Sequence, residues 1–369
     1  MPRRDRRYLD PVTNSLPDIK VPRVRWGIIG ASDIADRVMA PAMVEAAGAE
    51  LVAVASRSPD RAAWFARRQL RRAARMDAKS VVPGGLRTFA SASELAADPG
   101  IDAVYVATEV DRHADDVLAV ARAGRDVLVE KPIARTAPEG QAMVDGCAAA
   151  GVRLGTCFYQ RYNTRHGRIR DLLADGAIGQ VATVSLNFSG RSGDRPGAWR
   201  QDPGRSGGGS FIDSASHCVD LLRWLLGEVD QLVAFTATLA ATYAVEDTAF
   251  AILRMQSGVH AVITAHWSTT DTSDVRSSVI TIGGTEGSIV SWPLHDKFSR
   301  GTLLLARGDG EEEILVPEAS THVALLEDWA ARRATGAPPA ISGEDGVAAQ
   351  RIVDAVYESG RTGQRVKFA

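Results

Sequence analysis

Three side chains of this 369-residue chain are of types that move protons and steady charge: Lys131, Asp213 and His217. Lys131 stands in VLVEKPIA, where an apolar strand gives way to Glu130, Lys131 and Pro132. Doubly wound folds bind ligands at the carboxyl edge of the sheet, and a lysine there can bind a substrate oxygen or polarise a carbonyl. Asp213 and His217 lie four residues apart in GRSGGGSFIDSASHCVDLLRWLLG, which puts them on one face of a helix. Histidine titrates near neutrality, so His217 suits exchange of a hydroxyl proton, with Asp213 orienting the imidazole. The glycines ahead of them let backbone approach a ligand closely. A helix-capping aspartate followed by a satisfied core histidine would look the same, and this pair alone does not decide between the two.

A second constellation points to a dinucleotide. GIIGASDIA at residues 27–35 falls where a strand ends and a helix begins. Aligned to G-x-G-x-x-G/A, Gly30 supplies the tight turn and Ala35 the close helix packing, while Ser32 takes the place of the second glycine. The Gly30-Ala31 turn leads to the amides of Ser32, Asp33 and Ile34, which would cradle phosphates at a helix N-terminus. At the end of the second strand an NAD-preferring protein commonly carries an acid for the ribose 2′-hydroxyl. Here Ser56 and Arg57 stand instead, with Arg61 a turn further on. Arginine's planar donors suit a phosphate dianion, so NADP is the expected cofactor, with NAD the alternative.

The elements needed to position these residues are legible as a pattern. From Val24, apolar β-branched runs (VRWGII, ELVAVA, IDAVYVAT, DVLVEK, VRLGTCF) alternate with helical stretches beginning near Ile34, Asp60, Asp111 and Ala137. That alternation predicts βαβ units on a parallel sheet with helices on both faces. After about residue 178 come longer strands with turn signals at Gln256-Ser257-Gly258, Gly283-Gly284 and Gly308-Asp309-Gly310. The predicted fold class is α/β: a Rossmann-type, doubly wound parallel sheet over residues 23–150, then an α/β domain over 151–369 with a large, mostly antiparallel open sheet. Helices are expected from Asp213 to Leu226, near residues 321–334 and from Glu344 to Gly360. Residues 1–22, polar and proline-punctuated, read as a flexible arm.

Composition narrows the partners. Forty-three basic residues nearly balance 45 acidic ones, for a formal net charge of −2, so no global field draws the chain onto nucleic acid or a membrane. The arginines of the segment from Arg67 to Arg75 read as a solvated helix face. Cys147, Cys157 and Cys218 form neither an even disulfide framework nor a CxxC pair, and they read as buried thiols in a reducing compartment. Arg6-Arg7 is followed by PVTNSLPDIKVPR rather than an apolar segment, and no apolar run approaches the roughly 18–20 residues that span a bilayer. A cytoplasmic protein acting on a small molecule is the expectation. No metal is expected, since His113, His166 and His217 lack convincing ligand partners.

In this order, glycine fingerprint, EKP and D-x-x-x-H resemble the glucose-fructose oxidoreductase and inositol dehydrogenase family, Gfo/Idh/MocA. ATEVDRHADDVLAVARAGRDVLVEKP is similar to the family's aT-P-N-x-x-H and aGKHVlxEKP stretches, and the likeness runs on to SGEDGVAAQRIVDAVYESGRTGQRV. The resemblance implies NAD(P)-dependent oxidation or reduction of sugars, cyclitols and their derivatives, and a homodimer or homotetramer formed through the open sheet. It makes Lys131, Asp213 and His217 catalytic, with Lys131 touching both cofactor and substrate. Thr108, His113 and Glu130 fall on cofactor-binding stretches. Trp199-Arg200 and GASDIA are similar to an NADP-using, 1,5-anhydrofructose reductase-like branch, which places that pair near the nicotinamide. Arg161 and Arg200 are candidates for binding substrate hydroxyls. Glu109-Val110, Arg125-Asp126 and Cys157 depart from the family pattern around the nicotinamide. The competing functions are a non-catalytic dinucleotide- or sugar-sensing regulator of the same fold and a reductase of a non-sugar carbonyl or biliverdin-like substrate.

Overall fold

The computed structural model describes residues 21–75, 85–190, 192–269 and 277–368. The expected N-terminal arm therefore falls, up to residue 20, outside the described residues. The chain divides into two compact units, one running to Phe158 and taking in His322–Val347, the other comprising Tyr159–Thr321 and the residues from Ala348 on.

The first unit is built on a six-stranded, all-parallel sheet in the order β3-β2-β1-β4-β5-β6. Its strands are β1 (Val24–Ile29), β2 (Ala49–Ala55), β3 (Arg87–Phe89), β4 (Ala103–Val106), β5 (Asp126–Val129) and β6 (Leu154–Thr156). That order is the doubly wound one, and the direction of winding reverses between β1 and β4, where such folds open their binding crevice. β4 and β5 are buried along their whole length, as expected of strands with helices on both faces. The crossover helices are α1 (Ala40–Glu45), α2 (Pro59–Arg75), α3 (Ala92–Ala97), α4 (His113–Arg122) and α5 (Ala137–Ala149). A π-helical turn, Ala35–Met39, leads into α1. Thr136 starts α5 by accepting the Glu139 amide, with Pro138 in the first turn. β3 and α3 escaped the sequence reading because β3 is three residues long and without an apolar run.

The arginine segment on α2 is more than a solvated face. Arg68 pairs with Asp36 at 2.9 Å, Gln69 donates to the same carboxylate at 2.6 Å, and Arg72 donates to the Asp36 carbonyl at 2.6 Å. Asp36, 3% exposed, follows directly on the glycine loop, so α2 holds that loop in place.

The second unit carries a nine-stranded sheet in the order β14-β13-β12-β11-β7-β10-β9-β8-β15, in which only the β7–β10 pair is parallel. Its strands are β7 (Val181–Ser189), β8 (Val229–Ala237), β9 (Thr248–Met255), β10 (His260–His266), β11 (Ser278–Gly284), β12 (Gly287–Trp292), β13 (Thr302–Arg307), β14 (Gly310–Glu313) and β15 (Val366–Lys367). Each of the three expected turn signals sits at a hairpin, and Gly258 and Gly308 take positive φ there. The second unit's helices are α6 (Thr164–Ala174), α7 (Pro203–Ser206) and α8 (Ser216–Leu226), the last led in by a π-helical turn, Phe211–Ala215.

Two helices close the chain: α9 (Thr321–Thr335) and α10 (Gly343–Thr362). The sequence reading gives all of 151–369 to the second domain, whereas α9 belongs almost entirely to the first unit. The reason is packing: the Trp329 and Trp26 rings lie 5.6 Å apart, and Gly155 has no Cβ to collide with Trp329. No helix among the described residues is long and apolar enough to cross a membrane.

Candidate functional site

In the first unit the glycine loop sits at the switch between β1 and β4. Gly30 has φ +93°, and a Cβ there would lie 2.6 Å from the Ala107 carbonyl oxygen, so only glycine lets the two strand ends approach. Ala31 and Ala35 are buried, and Ala35 brings the helix close to the sheet as the fingerprint requires. Ser32 is half-buried and Asp33 exposed, and with Ile34 they form the helix start that can hold a phosphate. This cradle fits a dinucleotide. Ser56, Arg57 and Arg61 follow β2; Ser56 accepts the Ser58 amide at 3.3 Å, and both arginines are exposed. Arg61 donates its Nε–H to the Ala31 carbonyl at 2.7 Å, which tethers it to the loop.

The EKP segment is tightly held. Glu130, 8% exposed, accepts the Tyr105 hydroxyl and, at 3.1 Å, the amide of Lys131. Lys131 is half-buried and precedes a cis peptide to Pro132. Burial, then the Glu130 charge, push the Tyr105 phenol and the Cys157 thiol well above their ordinary values, so both stay protonated against this carboxylate. His113, 1% exposed, turns Nδ1 toward the carbonyls of Pro132 (3.1 Å) and Ile133 (3.2 Å) and Nε2 toward that of Thr108 (3.3 Å). Burial lowers its pKa, the carbonyl bonds opposing. His113 thus ties the loop after β4 to the loop carrying Lys131. The Thr108 hydroxyl donates to Asp116 at 2.9 Å, and burial raises that carboxyl.

In the second unit Asp213 lies in the π-turn and His217 on α8 behind it, a kind of irregularity frequent at functional sites. His217 is 5% exposed, and its ring meets Tyr159 edge-on with centroids 5.0 Å apart. Arg200 pairs with Asp213 at 3.4 Å while its guanidinium lies 4.3 Å over the Trp199 ring. The structure thus brings Trp199, Arg200 and Asp213 together, through a pairing that the sequence does not announce. Arg161 is engaged differently from the substrate contact expected of it: its fork grips Asp220 on α8 through bonds of 3.0 and 2.6 Å, deep in the unit. The glycines ahead of Asp213 also make room for protein rather than ligand. A Cβ on Gly208 would sit 2.2 Å from the Tyr357 hydroxyl, and one on Gly209 would sit 1.9 Å from the Glu246 carbonyl oxygen.

Tyr105, Asp116, Tyr159, Asp220, Glu246 and Tyr357 were not anticipated. Asp116, Asp220 and Tyr357 lie within the stretches that carry the motifs, but the partner each one meets is set by the fold rather than by its place in the stretch; only the glycine run hinted that something must come close to the turn before Asp213. No group of three or more His, Cys, Asp or Glu among the described residues is arranged to hold a metal.

Comparison with known proteins agrees with this geometry. Residues 24–158 match the model of an oxidoreductase family with an NAD-binding Rossmann fold, and residues 166–290 match a GFO/IDH/MocA C-terminal domain. The chain is 31% identical to a 1,5-anhydro-D-fructose reductase of Ensifer adhaerens, over 93% of this chain and 98% of the relative. It is 30% identical to a D-xylose 1-dehydrogenase (NADP(+)) of Haloferax volcanii, over 93% and 99% respectively. In fold it is similar to the aldose-aldose oxidoreductase of Caulobacter crescentus, with TM-score 0.82, 24% identity, and coverage of 94% of this chain and 100% of that one. Rossmann fingerprint, EKP lysine, D-x-x-x-H helix and open sheet, with both halves of the family's model matched, make this chain a member of the Gfo/Idh/MocA family of NAD(P)-dependent oxidoreductases.

Proposed function

We propose that this protein is an NADP-preferring dehydrogenase or reductase that moves hydride between nicotinamide and a hydroxyl or carbonyl carbon of a sugar, cyclitol or sugar derivative. The observation that carries the reading is the Asp213–His217 helix with Arg200 on its aspartate, in a chain matched over nearly its whole length by sugar reductases and dehydrogenases.

The bound dinucleotide supplies or accepts the hydride at the nicotinamide. Gly30, Ala31, Ser32, Asp33 and Ile34 hold its pyrophosphate at the helix start. Ser56, Arg57 and Arg61 receive the 2′-phosphate, a group that Arg61 meets with guanidinium donors other than the Nε–H spent on Ala31. Thr108, Glu130, Lys131 and Trp199 line the cofactor, and His113 fixes the loops that carry the first three. Lys131 steadies negative charge on the substrate oxygen, and His217 takes up or delivers the hydroxyl proton. Asp213 and Arg200 set the polarity beside that proton and bind substrate hydroxyls.

We place the protein in the cytoplasm, as a homodimer or homotetramer. Support for self-association comes from the outer face of the nine-stranded sheet, where Phe235 (72% exposed), Phe250 (46%) and Ile252 (52%) cluster, Phe235 directly opposite Phe250. The test of function is turnover of a sugar panel followed at the NADPH absorbance band. Lys131→Ala and His217→Ala should each lose about two to four orders of magnitude in kcat, the scale of general acid–base and electrostatic contributions. Wild-type rates in both variants would reject the assignment.

A further inference from the structure

Four consecutive backbone N–H groups at the start of the Asp213–His217 helix find their acceptors on two residues far away in sequence. A helix start leaves its first four N–H groups without intrahelical partners. Here Gly209 donates to Glu246 Oε2 (2.7 Å), Ser210 to the Glu246 carbonyl (3.0 Å), Phe211 to Glu246 Oε1 (2.8 Å) and Ile212 to the Tyr357 hydroxyl (3.1 Å). The Tyr357 hydroxyl in turn donates to Glu246 Oε1 at 3.0 Å, and the first intrahelical bond, Asp213 N–H to the Gly209 carbonyl, follows at 3.1 Å. Glu246 arrives from the segment before β9 and Tyr357 from α10. Gly208 and Gly209 are the two positions where a side chain would collide with them.

We propose that Glu246 and Tyr357 form a clamp that positions Asp213 and His217 for the reaction. An ordinary cap, in which a serine or aspartate meets one amide, secures a helix end. This one takes the four amides that precede Asp213, two of which, those of Phe211 and Ile212, belong to the turn in which Asp213 itself stands, and that turn is π-helical, with the Ser216 amide bonded back to the Phe211 carbonyl. Such a turn competes with the regular α register, so its geometry depends on what holds its first amides. The carboxylate also places negative charge at the positive end of the helix dipole. Loss of the clamp lets the first turn relax toward water or a shifted register. Asp213 then moves relative to Arg200, and His217, at the start of α8, turns with it.

The inference rests on the catalytic assignment of Asp213 and His217 made above, and its test reads structure and turnover separately. Full-length wild type is compared with Glu246→Gln, which turns one acceptor into a donor facing an amide, with Glu246→Asp, and with Tyr357→Phe. Amide hydrogen exchange over residues 205–220 is measured alongside kcat, KM and NADPH affinity. Expected are faster exchange at 209–212 and a kcat about ten- to a hundredfold lower in Glu246→Gln, the scale of an ångström-sized misplacement. NADPH affinity should stay within about threefold, since the groups that hold the dinucleotide are untouched, whereas KM for the sugar rises with the displacement of Asp213. Tyr357→Phe should lose less, Glu246→Asp should recover part of kcat, and the Glu246→Gln, Tyr357→Phe double variant should be no worse than Glu246→Gln, because the two act as one unit. Wild-type exchange at 209–212 in Tyr357→Phe and in whichever Glu246 variant folds would overturn the clamp, whatever the turnover. Faster exchange with unchanged kcat, in a protein whose His217→Ala variant is inactive, would reduce it to a stability cap and also overturn the proposal. An active His217→Ala would instead count against the catalytic reading.

Discussion

Asp220→Asn should cost this protein about 3–5 kcal/mol of stability without a direct effect on substrate affinity. The Asp220 side chain is fully buried and that of Arg161 is 10% exposed, and the two are joined by bonds of 3.0 and 2.6 Å. Exchange of one carboxylate oxygen for an amide leaves the guanidinium fork with a neutral partner in a site that water does not reach. The buried guanidinium then faces a neutral group where it had a carboxylate, which is the expensive case for an ion pair. For a unit of this size that loss lowers the melting temperature by roughly 10 °C. Arg161→Gln should be destabilising to a similar degree, whereas Arg161→Met with Asp220→Leu should recover most of the loss, because neither charge then remains to be desolvated. Thermal unfolding and urea titration measure these differences, and steady-state KM for the sugar completes the set. A stability for Asp220→Asn within about 0.5 kcal/mol of wild type, together with an Arg161→Gln variant of normal stability and raised KM, would refute the reasoning and return Arg161 to the substrate.

Two further outcomes follow from other parts of the structure. His166 is fully buried with Nδ1 on the Gln160 carbonyl at 2.9 Å, and burial pushes its pKa from 6.5 down to about 3. Because the folded value lies below the unfolded one, its contribution is present above about pH 6.5 and is lost as pH falls toward 3, at up to about 1.4 kcal/mol per pH unit. Urea unfolding at a series of pH values should show one proton's worth less slope over that window in His166→Gln, and an unchanged slope would show that another group carries it. At the cofactor, Arg57→Ala and Arg61→Ala should each weaken NADPH about ten- to a hundredfold, the worth of a charge-assisted bond to phosphate, and leave NADH nearly unaffected. Equal losses for both cofactors would instead show that the arginines serve only the loop.

The sequence was legible where function writes itself into neighbouring residues. Gly30 before a helix, Glu130-Lys131-Pro132 after a strand, and Asp213 four residues from His217 are local patterns, and the elements that carry them follow from hydrophobic period. What stayed hidden is built from residues that meet only when the chain folds. Nothing near Arg161 names Asp220 as its partner, nothing near Gly209 names Glu246 or Tyr357, and α9 joins the first unit through Trp329, which its own periodicity does not reveal. The arginines of α2 illustrate the same limit: periodicity marks them as surface, yet Arg68 and Arg72 are committed to Asp36. His113 lies between the two cases. Its motif was readable, but its task of joining two loops through carbonyls was not.

The central claim is hydride transfer to or from a sugar carbon with His217 handling the proton, and transfer of label tests it most directly. NADPH carrying deuterium at the transferable C4 position is incubated with wild type, Lys131→Ala and His217→Ala over a panel of keto- and aldo-sugars, and the products are analysed by mass and NMR. Expected are deuterium on one carbinol carbon of the wild-type product and formation of that product slowed by about two to four orders of magnitude in both variants. Tight NADPH binding with no label in any sugar, or label appearing as fast in His217→Ala as in wild type, would contradict that claim.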